Sequence, residues 1–129
     1  MPESQLVRII AALKRQGVVV VINEEIDRLL DYLNADGTIS YDFTYNEATI
    51  YYRTKPSRST VFEELIHLAQ YRHGIITSEV GSIERAEIAA QNKLIKSAQS
   101  YCFSEDEVKE IHNNLEYWKR KLTQEVNSK

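Results

Sequence analysis

The sequence has little of several residue types that would point to particular classes of protein. It contains one cysteine, Cys102, which excludes an internal disulfide and a cysteine-rich zinc knot. Acidic residues outnumber basic ones by 19 to 16, so no basic surplus favours nucleic acid. The longest apolar run, residues 18–22, is far too short to span a membrane, and the first residues lack the layout of a signal peptide. The remaining composition, with 43% hydrophobic and 27% charged residues, is that of a globular protein, and we expect a single domain over residues 1–129.

Hydrophobic periodicity and turn residues predict the element order α-β-α-β-β-α-α-α. The predicted helices cover residues 4–16, 24–33, 60–72, 82–101 and 105–126, and the predicted strands cover residues 18–22, 38–44 and 48–54. Asn23 has the character of an N-cap, and Ser104 with Glu107 forms a capping-box pattern. The first strand is β-branched throughout, which predicts a buried strand, and the other two predict a hairpin. This order predicts an α+β fold in which a small antiparallel sheet lies beside four to five helices.

The predicted helix 60–72 carries the residues with the most chemistry. At about 100° per residue, its apolar side chains occupy one arc and its polar side chains the other. His67 falls near the middle of the polar arc, which predicts that it is not a core histidine. Glu63 and Glu64 precede it by one helical turn, so the three side chains can reach one point. Imidazole and carboxylate groups are zinc ligands, and a carboxylate can also act as a general base.

Two structural explanations for this helix stay open at this point. A polar arc is commonly a solvated face, and Thr60 with Glu63 also fits a capping box, which would give Glu63 a purely structural role.

The following helix places an acid within an apolar stripe. Glu87 is centred, with Gln91 one turn on, among the side chains of Ile83, Ala90, Leu94, Ala98 and Tyr101. A carboxylate aimed at a core is destabilising unless it is paired, hydrogen-bonded or bound to a metal. We therefore expect Glu87 to meet His67, the alternatives being a basic residue or a tyrosine hydroxyl. Glu84 is a second candidate at the edge of the stripe, whereas His73 is expected to cap a helix and His112 to lie on the surface.

Residues 48–53 followed by the run EELIH at residues 63–67 resemble the edge strand and active helix of zincin-type metallopeptidases. In those enzymes an HExxH helix supplies two histidine ligands and a glutamate base, and in one branch a later helix supplies a glutamate ligand. The resemblance implies that Glu64 is the base, and that His67 and Glu87 are ligands. Glu63 stands where the first histidine would be, which gives a Glu/His/Glu site. Such an oxygen-rich site accepts manganese or iron as well as zinc.

More narrowly, residues 59–67, 70–72 and 87–95 are similar to the zincin-like toxin domains of bacterial polymorphic toxins, within a resemblance that spans roughly residues 38 to 122. This implies a zincin-like, metal-dependent hydrolase that acts as a toxin effector and has a cognate immunity protein. It also implies a cytoplasmic location, or delivery into a target cell as part of a larger protein. Tyr71 or Arg72 would steady an oxyanion, and the strand at residues 50–53 would bind an extended peptide substrate at its edge.

Two other functions remain open from the sequence. The chain could be a metal-independent nuclease toxin in which His67, Glu64, Arg53 and Tyr52 serve acid–base roles on RNA. It could also be a non-catalytic binding module on a zincin-like scaffold, which the glutamate at position 63 favours.

Overall fold

The computed structural model describes residues 1–127, in which we find five helices and one three-stranded sheet. The helices are α1 (Glu3–Arg15), α2 (Glu24–Leu33), α3 (Arg58–Arg72), α4 (Ser82–Ser97) and α5 (Glu105–Asn127), and the strands are β1 (Val19–Val21), β2 (Gly37–Asp42) and β3 (Glu47–Tyr52). The α+β class and the element order are confirmed. The chain divides into two compact units, Met1–Glu64 and Leu65–Lys129, and α3 continues across the boundary. Within the described residues, we find no helix with both the length and the apolar character needed to cross a membrane.

The sheet of the first unit is mixed, with strand order β1-β3-β2. β2 and β3 form the predicted antiparallel hairpin, in which Ile39 lies opposite Ile50. β1 pairs with β3 in parallel, with Val20 opposite Ile50, so the prediction of a purely antiparallel sheet is wrong. The parallel pairing follows from the path of the chain. After β1, the helix α2 takes the chain to β2 at the opposite edge of the sheet, and β3 then returns to lie between β2 and β1.

The strand order also corrects two expectations about exposure. β3 is the central strand, and Ile50 and Tyr52 on it are completely buried. Ile50 and Tyr51 are therefore not an edge that an incoming peptide can extend, because each pairs with a residue of both neighbouring strands. β1 is an edge strand rather than a buried one, and Val19 is 52% exposed.

Local polar contacts fix the ends of the elements in the first unit. The side chain of Asn23 accepts a hydrogen bond from the Ile26 N–H at 2.9 Å, as an N-cap residue should.

A Cβ at Gly37 would lie 2.9 Å from Cγ2 of Thr60, so β2 and the first turn of α3 approach too closely for a larger residue. The core of this unit consists of Leu6, Leu13, Val18, Leu30, Ala48, Ile50, Tyr52 and Val61.

The second unit is built on helices. Ser104 and Glu107 form the predicted capping box at the start of α5, with reciprocal hydrogen bonds of 3.1 Å. α4 ends at Ser97 rather than at Tyr101, because the chain turns and reaches a positive φ of 56° at Cys102. His112 is exposed on α5, as expected. The buried apolar residues of this unit are Leu68, Ile76, Ala86, Ala90, Leu94, Ile111 and Leu115.

Candidate metal centre

The start of α3 determines how its polar residues are presented. The carbonyl of Ser57 accepts a hydrogen bond from the Val61 N–H, and its hydroxyl accepts one from the Thr60 N–H at 3.2 Å. Ser57 is therefore the N-cap, and the helix begins at Arg58 rather than at Thr60. The capping-box explanation for Glu63 does not hold, because Thr60 lies inside the helix.

The buried face of α3 combines most of its predicted polar arc with Val61 and Leu68 of the predicted apolar arc. Three polar residues on this face are almost inaccessible to solvent: His67 is 5% exposed, Glu64 5% and Gln70 6%. Phe62 and Ile66, on the predicted apolar arc, are only half-buried. The prediction that His67 is not a core residue is therefore wrong. A buried polar face is destabilising unless its groups are satisfied, so the contacts of these side chains define the site.

Both ring nitrogens of His67 have polar neighbours within the second unit. Nδ1 lies 2.8 Å from the side-chain oxygen of Gln70, and the Gln70 amide in turn donates to the Ala86 carbonyl at 2.9 Å. Nε2 lies 3.2 Å from Oε2 of Glu87. The expected meeting of His67 and Glu87 is confirmed by this distance, and it occurs between α3 and α4.

Glu87 lies at the edge of the buried face of α4 rather than at its centre. Its side chain is 19% exposed. Ile83, which was expected to share the buried stripe, is 54% exposed. The buried residues of α4 are Ser82, Ala86, Ala90, Gln91 and Leu94. The carboxylate therefore contacts the imidazole of His67 from a half-buried position. Of the two side chains, that of Glu87 is the more exposed to solvent.

Glu63 joins this pair to form a group of three potential metal ligands. It precedes His67 by one turn of the same helix, and one ligand atom from each of Glu63, His67 and Glu87 lies within 4.8 Å of the others. This group can hold a metal ion. One imidazole nitrogen and two carboxylates are a donor set that suits zinc, manganese or iron, and three protein ligands leave a coordination position open.

Glu64, the predicted base, is not one of the three ligands that converge. Glu64 is buried close to Tyr52 in the first unit, and the Tyr52 hydroxyl donates a hydrogen bond to the Val61 carbonyl at 3.0 Å. Burial and the negative charge of Glu64 raise the pKa of the Tyr52 phenol above its usual value. Tyr71 lies one turn after His67 and is half-buried, and Arg72 at the end of α3 is exposed.

Two residues of the nuclease hypothesis make contacts that stabilise the first unit. Tyr52 has no exposed surface, so it cannot contact RNA. Arg53 forms an ion pair with Asp31 at 2.7 Å and donates to the Ala35 carbonyl at 2.8 Å, which ties β3 to the end of α2.

Sequence reasoning missed Gln70, which contacts His67 directly. Its position three residues after His67 on the same arc was a signal that the two side chains can meet.

No family model matches the chain, and comparison with the curated proteins and with the solved structures gave no match. The resemblance to zincin-type enzymes therefore stays a prediction from the sequence.

Proposed function

We propose that this protein binds a divalent metal ion through Glu63, His67 and Glu87 and uses it for hydrolysis. The observation that carries the proposal is a buried imidazole next to two carboxylates, with ligand atoms within 4.8 Å of one another. Two ionised carboxylates at this distance repel each other, and a divalent cation between them neutralises both charges.

The hydrolytic part of the proposal assigns roles to two further residues. An ion held by Glu63, His67 and Glu87 would supply a Lewis acid and would lower the pKa of a water bound to it. Glu64, which follows Glu63 and occupies the position of the base in the HExxH pattern, is the general base. Tyr71, one turn after His67, stabilises the developing oxyanion by donating a hydrogen bond.

The similarity of residues 59–67 and 87–95 to polymorphic-toxin domains extends the proposal to a toxin effector that acts on a peptide substrate and is neutralised by an immunity protein. Inducible expression in bacteria tests this part. We expect the wild-type chain to slow growth, and His67→Ala and Glu64→Gln to abolish the effect at equal protein levels. Equal toxicity of Glu64→Gln and wild type would reject a hydrolytic toxin.

Metal analysis tests the binding site itself. The protein is purified without a histidine tag or chelator, equilibrated separately with zinc, manganese and ferrous iron, and analysed by mass spectrometry for the metal. We expect a stoichiometric ion in the wild type and its loss in His67→Ala. His112→Ala is the matched control, because His112 is exposed on α5 and should leave the metal content unchanged. Wild-type protein that retains none of the three metals would reject the site.

A second candidate is a metal-binding module without catalysis, and the position of Glu64 favours it. The Glu64 carboxylate is buried near Tyr52, and it is not one of the three ligands that converge. Glu64→Gln separates the two candidates when peptide hydrolysis is assayed on metal-loaded protein. A hydrolase loses activity with this substitution, whereas a module shows no hydrolysis in either form and retains its metal in both.

A further inference from the structure

Two contacts determine the orientation of the side-chain amide of Gln70. The backbone carbonyl of Ala86 can only accept a hydrogen bond, so the amide atom 2.9 Å from it must be the NH₂ group of Gln70. The other amide atom, the carbonyl oxygen Oε1, then faces Nδ1 of His67 at 2.8 Å. An amide oxygen has no hydrogen to donate, so Nδ1 must carry the hydrogen of this bond. The reverse amide orientation would place NH₂ against His67 and leave two acceptors facing each other at Ala86.

We infer that Gln70 is a positioning residue: it holds His67 in the tautomer with hydrogen on Nδ1 and so presents Nε2 as the metal-binding atom. A histidine ligand binds metal through the nitrogen that carries no hydrogen, and the hydrogen bond at the other nitrogen decides which one that is. Nε2 is the nitrogen that faces Glu87, at 3.2 Å. The metal-binding part of this inference rests on the proposed function, whereas the tautomer does not.

The same amide also sets the distance between two ligands. Gln70 contacts α4 at the carbonyl of Ala86, and Glu87 is the next residue along that helix. Gln70 and Ala86 are 6% and 2% exposed, so water does not compete strongly for this contact. One buried side chain therefore orients the imidazole and fixes it against the segment of α4 that carries the second carboxylate.

Nitrogen-15 NMR of the histidine rings tests the tautomer in metal-free protein, at a pH where the ring carries one hydrogen. We expect His67 to carry it on Nδ1 in the wild type, and Gln70→Leu to lose this preference. Gln70→Glu keeps an acceptor at Nδ1 and loses the donor to Ala86, so it should retain the tautomer. Hydrogen on Nε2 in the wild type, or an unchanged tautomer in Gln70→Leu, would overturn the inference.

Titration calorimetry with zinc and with manganese tests the consequence for binding. We expect Gln70→Leu to weaken affinity by about 10–100-fold, the usual effect of removing a hydrogen-bond partner of a ligand, and Gln70→Glu to lose less. Leu68→Ala is the control for stability, since Leu68 is buried on the same helix and its side chain has no group that can hydrogen-bond to the imidazole; it should lower thermal stability and keep both tautomer and affinity. A wild type with the expected tautomer but no metal binding would reject the proposed function and leave the tautomer assignment standing. Unchanged metal affinity in Gln70→Leu would reject the positioning role alone.

Discussion

The Nε2 atom of His67 lies 3.2 Å from a carboxylate oxygen of Glu87, which joins α3 to α4 through a largely buried contact. When the neutral ring carries its hydrogen on Nδ1, its Nε2 lone pair and the Glu87 carboxylate repel each other, so with this tautomer the contact is favourable in two situations. Either the ring is protonated and forms an ion pair, or a cation lies between the two groups. Removing the charge of Glu87 weakens both, and the two situations can be separated by adding metal.

Glu87→Gln is the first test of this contact. We expect metal affinity to fall by more than about tenfold. Removing a hydrogen-bond partner of a ligand already weakens affinity by about tenfold or more, and removing the ligand itself should weaken it further. Glu84→Gln is the matched control: Glu84 lies on α4, one turn before Glu87, and is not one of the three converging ligands. Calorimetry on both variants provides the measurement. Equal affinities for the two variants would show that Glu87 does not bind the ion.

Glu63→His tests the residue that departs from the HExxH pattern. An imidazole in place of the carboxylate makes the donor set richer in nitrogen, which favours zinc over manganese. We expect the ratio of zinc to manganese affinity to rise by at least about tenfold, or 1.4 kcal/mol. Competition between the two ions, followed by metal analysis, measures this ratio. A ratio that does not change would mean that position 63 is not a ligand.

The parts of the fold that could be predicted are those with local causes. Asn23 and the Ser104–Glu107 pair cap their own helices, and the hairpin of β2 and β3 needs only a short connection. The parallel pairing of Val20 with Ile50 joins residues that are far apart in the sequence, and no residue type within β1 predicts it. A short β-branched run looks the same in sequence whether it is central or at an edge.

The candidate site shows a similar division. An acid near the buried stripe of a helix needs a partner, and this requirement predicted that Glu87 meets His67. Periodicity divided α3 into two arcs but could not say which residues of each arc face the protein, because that depends on the packing of the whole helix. His67 was therefore assigned to the wrong environment. The role of Gln70 depends on a backbone carbonyl, that of Ala86, which the sequence does not mark as an acceptor.

The close approach of β2 to α3 predicts that Gly37→Ala is destabilising. The added Cβ would lie 2.9 Å from Cγ2 of Thr60 and 3.3 Å from the Tyr51 carbonyl, so strand or helix must move. We expect a loss of about 1–3 kcal/mol in the free energy of unfolding, the usual cost of overpacking. Urea denaturation measures it. Thr60→Ser removes Cγ2 and retains the hydroxyl, so the double variant should recover part of the loss; no recovery would point to the Tyr51 carbonyl as the obstacle.

The final prediction concerns acid stability. The Thr54 N–H and hydroxyl donate to the carboxylate of Asp27 at 3.0 and 2.8 Å, and the backbone bond above all lowers the pKa of Asp27 below its ordinary 3.8. Because the pKa is lower in the folded than in the unfolded chain, the charged form stabilises the fold above about pH 3.8 and this contribution disappears as pH falls through the lower folded value.

Asp27→Asn should therefore lower the midpoint of urea unfolding at pH 6, and the gap from wild type should close toward pH 3. Thr54→Val keeps the backbone N–H, which is the larger cause of the lowered pKa, so this variant should retain most of the pH dependence and lose only the part that the hydroxyl contributes. The effect is modest because Asp27 is only half-buried. If the gap between wild type and Asp27→Asn were constant across this range, the Thr54 contacts would not stabilise the charged form of Asp27.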